Sequence, residues 1–209
     1  MNEFDARDLI DEMARSMFER RLTFGSSGNI SVKIADGWLM TPTGSSLGRL
    51  DPSRLSKLDE KGKLISGDAP TQESFLHLAM YRERATAGAV VHLHSTHSVA
   101  VSCLDGINHD DVLPPITAYY VMRVGKLPLI PYYAPGDAAL GEAVGQFAAK
   151  HAAVLLANHG PIVSGSSLSA AVDAIEELEE TARLYLLLHG KPTHCLSAAQ
   201  VADLMRRFP

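Results

Sequence analysis

Short strand-like runs alternate with longer segments of helical period, and this alternation predicts a layered α/β domain. Ile30 to Ile34, Ala89 to His94 and Ala153 to Ala157 have the length and composition of strands. Around them lie segments with apolar residues at helical spacing, above all the first twenty residues and Ser167 to Leu188. No repeat, low-complexity stretch or Pro- or Ser-rich linker divides the 209 residues. Residues 1–209 therefore read as one domain.

The elements follow in order. A first helix is expected from Glu3 to Arg21, with Leu9, Ile10, Met13, Met17 and Phe18 on one face. Gly25-Ser-Ser-Gly-Asn29 breaks it. The strand Ile30 to Ile34 alternates in polarity, and Trp38 to Met40 is its hairpin partner across Asp36-Gly37. A second loop of small residues, Thr41-Pro-Thr-Gly-Ser-Ser-Leu-Gly48, comes next, then a short strand from Lys63 to Ser66. Asp68-Ala-Pro-Thr71 reads as a helix start, with the helix body from Phe75 to Arg84. The strand Ala89 to His94 leads to a helix over Val99 to Leu104, capped by Ser95 or Thr96. Pro114, Pro115, Pro128, Pro131 and Pro135 make the strands of the middle segment short and irregular. A helix near Ala138 to Lys150 and a buried strand from Ala153 to Ala157 follow, the latter ending in the turn Asn158-His-Gly-Pro161. Ser167 opens the long helix to Leu188, and Ser197-x-x-Gln200 is a capping box for the last one.

The composition, 46% apolar and 21% charged, is that of an ordinary globular protein. With 19 Lys plus Arg against 24 Asp plus Glu, the net charge is −5. No basic run is present, so there is no electrostatic footprint for nucleic acid or an anionic membrane. A small anionic substrate would need local cations. The amino terminus carries acids where a secretory signal carries Lys or Arg. The longest apolar stretches, such as Leu184 to Leu188, are too short to span a bilayer. The two cysteines, Cys103 and Cys195, read as free thiols in a reducing compartment, and the location as cytoplasmic.

His92-Leu-His94 is the strongest local signal. Residues two apart on a strand share a face, so Val91 and Leu93 face a core and both imidazoles face a site. Paired imidazoles suit zinc and similar ions. His159 follows a buried strand, at a strand end where α/β proteins place function. Taken singly, these are a polar sheet face and a turn histidine. Together they make three nitrogen ligands, the number found in an open catalytic metal site. Glu73, in the first turn of its helix, is by itself an ordinary helix-dipole partner; next to a metal it becomes a general acid/base. His77 lies four residues on, on the same face. His97 is out of parity with His92, and His109, His151, His189 and His194 belong to the surface or loops. The loops Gly25 to Asn29 and Thr43 to Gly48 offer backbone N–H groups as anion nests, and Thr71-Gln72 adds a helix N-terminus. No Walker-type or dinucleotide glycine motif occurs.

These residues, in this order, resemble the class II aldolase/adducin family. The match comprises Gly25-Ser-Ser-Gly-Asn29, Thr41-Pro-Thr-Gly44, Glu73, Val90-Val-His-Leu-His94 and Asn158-His-Gly160, and spans roughly residues 5 to 190. The resemblance implies a three-layer α/β/α fold around a mixed, largely antiparallel sheet. It implies a divalent metal (Zn2+, or another such as Mn2+ or Co2+) held by His92, His94 and His159. Glu73 is implied as the acid/base and as a further ligand when substrate is absent. The phosphate pocket maps onto Gly28, Asn29, Thr43, Gly44, Thr71 and Gln72, although the sugar-phosphate aldolases have two serines where this chain has Thr71-Gln72. Thr41-Pro-Thr-Gly-Ser-Ser-Leu-Gly48, Asp51-Pro-Ser-Arg-Leu-Ser-Lys57 and Glu176-Glu-Leu-Glu-Glu-Thr-Ala182 resemble the branch that decarboxylates 3-oxo-tetronate 4-phosphates more than the fuculose- or rhamnulose-type aldolases. The expected reaction is metal-dependent decarboxylation of this phosphorylated sugar acid to dihydroxyacetone phosphate. The alternatives are a sugar-phosphate aldolase, a pentulose-phosphate epimerase, or a metal-free structural module of the adducin kind. Those aldolases complete their sites with a tyrosine from a neighbouring subunit of a tetramer. Tyr119 is the nearest match, with Tyr120 adjacent, and the carboxy-terminal tail has no matching residue. His97, Arg123 and Lys126 are the cations considered for the departing carboxylate.

Overall fold

The computed structural model describes residues 2–208. Helix α1 (Glu3–Glu19) starts at Asn2, whose side chain accepts from the Asp5 N–H. It buries Ala6, Ile10, Ala14 and Met17 at helical spacing. Strands β1 (Asn29–Ile34) and β2 (Gly37–Met40) form the expected hairpin, but Ile34 pairs with Gly37. Its loop is therefore Ala35-Asp36, one residue earlier than expected. Two single-turn 3-10 helices, Leu47–Arg49 and Pro52–Arg54, lead into β3 (Ser56–Asp59) and β4 (Leu64–Ser66).

Helix α2 (Ser74–Glu83) precedes β5 (Ala89–His92), and α3 (Thr96–Ser102) follows directly. The proline-rich segment holds α4 (Ala118–Arg123) and the two-residue β6 (Leu129–Ile130). Then come α5 (Ala138–Ala148), β7 (Ala153–Leu156), β8 (Gly160–Gly165), α6 (Leu168–Leu188) and α7 (Ala198–Arg207). The Ser197–Gln200 capping box is formed. Both cysteines are free.

The strand order is β4-β3-β2-β1-β5-β8-β7-β6, and among the described residues only the β6–β7 pair is parallel. One face carries α1, α3 and α6; its core includes Ile10, Val91, Leu93, Val101 and Ile175. The other carries α2 and α5; its core includes Met80, Val90, Val144 and Ile162. This is the three-layer α/β/α arrangement. β5 is buried on both faces, which is why its sequence is a continuous apolar run rather than an alternation.

Two boundaries differ from expectation where it matters. β5 ends at His92, so His94 lies just beyond the ladder. Helix α2 begins at Ser74, not at Asp68 to Thr71, and Glu73 is its N-cap residue. The cause is local pairing: Pro42 bridges Pro70, and the Thr71 N–H donates to the Thr41 carbonyl. That tie holds Pro70-Thr71 extended against the second small-residue loop and sets Glu73 over the start of β1.

Candidate active site

Three central strands converge on one point. His92 closes β5, and its partner across β1 is Asn29. On the other side His92 pairs with Ile162 of β8, and His159 immediately precedes that strand. Leu93 faces the first core with Val91, so His92 shares the opposite face with Val90, beneath α2. The turn into β8 is tight: Asn158 has φ +56° and Gly160 φ +153°. A Cβ at Gly160 would lie 2.3 Å from the Leu93 carbonyl oxygen, so the two histidine-bearing segments touch backbone to backbone. Gly28 also packs against this segment, though less tightly: a Cβ there would lie 3.0 Å from the Leu93 side chain and 3.1 Å from the His92 carbonyl oxygen.

The Nε2 atoms of the three histidines form a nearly equilateral triangle. The separations are 3.0 Å for His92–His94, 3.1 Å for His94–His159 and 3.3 Å for His92–His159. Glu73 closes the group, with Oε1 3.0 Å from His159 Nε2 and Oε2 3.5 Å from His92 Nε2. His92 Nδ1 donates to the Pro161 carbonyl at 2.8 Å, which leaves its Nε2 with a bare lone pair. Burial pushes His92 below its ordinary pKa. His94 is lowered to about 4 by burial, with His92 and His159 adding to the effect. Burial alone would raise Glu73, but His92, His159 and the Asn29 amide outweigh it and hold the carboxyl well below the usual carboxylate range. Neutral His92 and His94 beside an ionised carboxylate are in the protonation state that a metal requires.

The donor set fits a divalent transition metal. Tetrahedral zinc with Zn–N of about 2.0–2.1 Å sets its nitrogens about 3.3 Å apart, close to the observed triangle. Glu73, His92, His94 and His159 place one ligand atom each within 4.8 Å of one another.

A cavity of about 530 Å³ opens over His94, His159 and Glu73, walled by Phe24, Thr96 and the Tyr132-Tyr133 pair. Sequence reasoning passed over Phe24 and the two tyrosines; the paired aromatics among the prolines were the available signal. No lysine or arginine is among its lining residues. The cations considered for a carboxylate lie elsewhere. His97 donates from Nδ1 to Glu179 at 2.7 Å, Arg123 pairs with Asp173, and Lys126 borders a smaller cavity beside Tyr120.

The loop residues expected around a phosphate separate into groups. Thr43 and Gly44 border a second cavity of about 530 Å³ with Gly25, Ser26, Ser46 and Arg49. Ser46 Oγ is buried there without a partner, and neither it nor Arg49 was singled out from sequence. The N–H groups of Thr43 and Thr71 are already taken, by the Ala69 and Thr41 carbonyls. Thr71 and exposed Gln72 precede α2 rather than open it, so the helix N-terminus expected there is not theirs. The Asn29 amide binds Glu73 and His77. Tyr119 is 60% exposed and borders a separate cavity with Arg20, Arg123 and Glu176. Tyr120 is 1% exposed and belongs to the core.

This fold, with histidines from two segments and a glutamate converging beside the sheet, defines a class, and the chain belongs to it: residues 8–186 match the family described as Class II Aldolase and Adducin N-terminal domain. The chain is 48% identical over 203 residues to 3-oxo-tetronate 4-phosphate decarboxylase of Escherichia coli O6:H1, covering 97% of this chain and 96% of that protein. YgbL of Escherichia coli superposes with a TM-score of 0.95 at 48% identity, covering 97% and 98% of the two chains. L-fuculose phosphate aldolase of Escherichia coli O6:H1 is more distant, at 35% identity over 97% of this chain and 93% of its own.

Proposed function

We propose that this chain is a divalent-metal-dependent carboxy-lyase that converts 3-oxo-tetronate 4-phosphate into dihydroxyacetone phosphate and CO2. The observation that carries the reading is the triangle of imidazole nitrogens closed by Glu73. Its support in substrate class is the near-full-length similarity to decarboxylases of that name. His92, His94 and His159 would hold the metal, with Glu73 as a fourth ligand in the absence of substrate. Zinc is the ion we favour, on the donor set of three imidazoles and one carboxylate. When bound, such a cation supplies Lewis acidity that steadies the negative charge left on the substrate's keto oxygen.

The chain's own residues do the rest. The C1–C2 bond breaks, CO2 leaves, and C2 must gain a proton. Glu73 lines the cavity, which supports reading it as the group that passes a proton from water to C2. Gly28, Thr43 and Gly44, with Ser46 and Arg49 beside the latter two, are read as the phosphate side. Asn29 is read as holding Glu73. Phe24, Tyr132 and Tyr133 line the reacting end.

The wider reading is a single domain over residues 1–209, acting in the cytoplasm as a homotetramer in which Tyr119 meets a neighbouring site. Among the described residues no helix is long and apolar enough to cross a membrane. Purified protein supplied with zinc should release CO2 from 3-oxo-tetronate 4-phosphate and form dihydroxyacetone phosphate, with little cleavage of fuculose 1-phosphate. Faster aldol cleavage than CO2 release would overturn the reading.

A further inference from the structure

We propose that His77 is a positioning residue for Glu73, acting through the side-chain amide of Asn29. The proposal rests on the reading of Glu73 as the proton-transfer group. Glu73, His77 and Tyr81 recur every four residues and form one stripe along α2. Asn29 and Ser31, two apart on β1, share the face beneath it. Four helical residues rise about 6 Å and two strand residues about 6.7 Å, so stripe and face stay in step.

The result is a continuous buried chain of hydrogen bonds. Asn29 Nδ2 donates to Glu73 Oε2 at 2.7 Å. Asn29 Oδ1 lies 2.5 Å from His77 Nε2. His77 Nδ1 lies 2.7 Å from Ser31 Oγ, and Ser31 Oγ lies 2.9 Å from the Tyr81 hydroxyl. His77 and Ser31 are fully buried, and Asn29 and Tyr81 nearly so.

One charge fixes every proton in this chain. An ionised carboxylate only accepts, so Asn29 must turn its NH2 group toward Glu73. Its oxygen then faces His77, whose Nε2 must carry the hydrogen. His77 Nδ1 is left bare and accepts from Ser31, which in turn accepts from Tyr81. Read the other way, the His77 Nε2–H is what holds the Asn29 amide with its NH2 toward Glu73. Without that donor the Asn29 oxygen is buried unpaired, and the amide can rotate to set oxygen against oxygen. Glu73 Oε2 then loses its anchor, and Oε1 its fixed aim toward His159. His77 is no ligand itself: its Nε2 is committed to Asn29, and it is not among the four converging groups.

The test combines His77→Leu, His77→Gln and Asn29→Ala with a measurement that needs no turnover. His77→Leu should lower kcat about tenfold or more, the effect of releasing one hydrogen bond to a charged group. Bound metal per chain should stay unchanged and KM should move less than about twofold. His77→Gln, which keeps a donor for Asn29 and an acceptor for Ser31, should recover most of kcat. In the Asn29→Ala background, His77→Leu should cost less than about twofold further, because the two act as one unit. An undiminished loss in that background, or full kcat in His77→Leu, would overturn the proposal. Nitrogen-15 NMR of the wild-type protein should show His77 protonated at Nε2 and bare at Nδ1. The opposite tautomer would overturn the proposal whatever the substrate. Failure of the wild-type protein to release CO2 would instead count against the decarboxylase reading.

Discussion

Gly160→Ala places one methyl group between the two segments that carry the metal ligands. The new Cβ would sit 2.3 Å from the Leu93 carbonyl oxygen, where real Cβ atoms essentially never come within 3.0 Å. The strands must therefore part by several tenths of an ångström. Leu93 lies between His92 and His94, and Gly160 follows His159, so the displacement acts directly on the nitrogen triangle. Its sides of 3.0–3.3 Å would lengthen toward 4 Å along two edges. With metal–nitrogen bonds of about 2.0–2.1 Å, spanning that would open the nitrogen–metal–nitrogen angles to roughly 135–155°, far from tetrahedral. The Pro161 carbonyl, which accepts from His92 Nδ1, moves with the same strand. Disturbing such an orienting contact typically costs 10–100-fold in metal affinity, about 1.4–2.7 kcal/mol. Alanine at φ +153° adds roughly 1–3 kcal/mol of backbone strain to the loss of fold stability. Gly190→Ala is the control: its φ is +73°, but nothing lies within 4 Å of the added Cβ. It should lose some stability and keep the metal. Competition against a chromogenic chelator gives the affinities, and urea titration of the metal-free proteins gives the stabilities. Gly160→Ala binding zinc within twofold of wild type would refute the reasoning.

His92→Ala and His159→Ala should each lose bound metal and CO2 release together, read by elemental analysis beside the activity assay. Glu73→Gln should keep the metal and lose turnover by about 10²–10⁴-fold, the usual range for a proton-transfer group; an active variant would remove Glu73 from that role. Chelation should lower the melting temperature of wild type and leave that of His92→Ala unchanged, because only a protein that binds the ion is stabilised by it. His77 should also mark the acid limb of stability. Burial first, then His92, lowers its pKa to about 3 from 6.5. Between those values the unfolded chain binds a proton that the native chain does not, so stability falls as pH falls, by up to about 1.4 kcal/mol per pH unit. Urea titrations at pH 7 and 5.5 should show a shallower pH dependence for His77→Gln than for wild type.

The metal ligands were legible because their pattern is local. His92 and His94 announce themselves by strand parity, and His159 by the turn that follows a buried apolar run. The long helix α6 and the last helix were equally plain, since Ser167 and the Ser197–Gln200 box mark their starts. The start of α2 was misplaced because its decisive contact is long-range. The Pro42–Pro70 bridge joins segments 28 residues apart, and nothing in Asp68-Ala-Pro-Thr71 alone reveals it. β3, β8 and α4 went unread for related reasons. β3 is a short edge-side strand of mixed polarity, β8 begins within what reads as a turn, and α4 is a single amphipathic turn and a half among prolines. The Asn29–His77 link was half visible: the i, i+4 spacing of Glu73 and His77 and the strand from Ile30 were apparent, but that this strand lies beneath that helix face was not.

The most direct test is X-ray absorption at the zinc edge on protein loaded with one equivalent of Zn2+, compared with the His94→Ala variant. A first shell containing three imidazole nitrogens near 2.0–2.1 Å is expected in the wild type, with one imidazole fewer in the variant. A spectrum of oxygen ligands alone, unchanged by removing His94, would contradict the convergence of these three histidines on a metal.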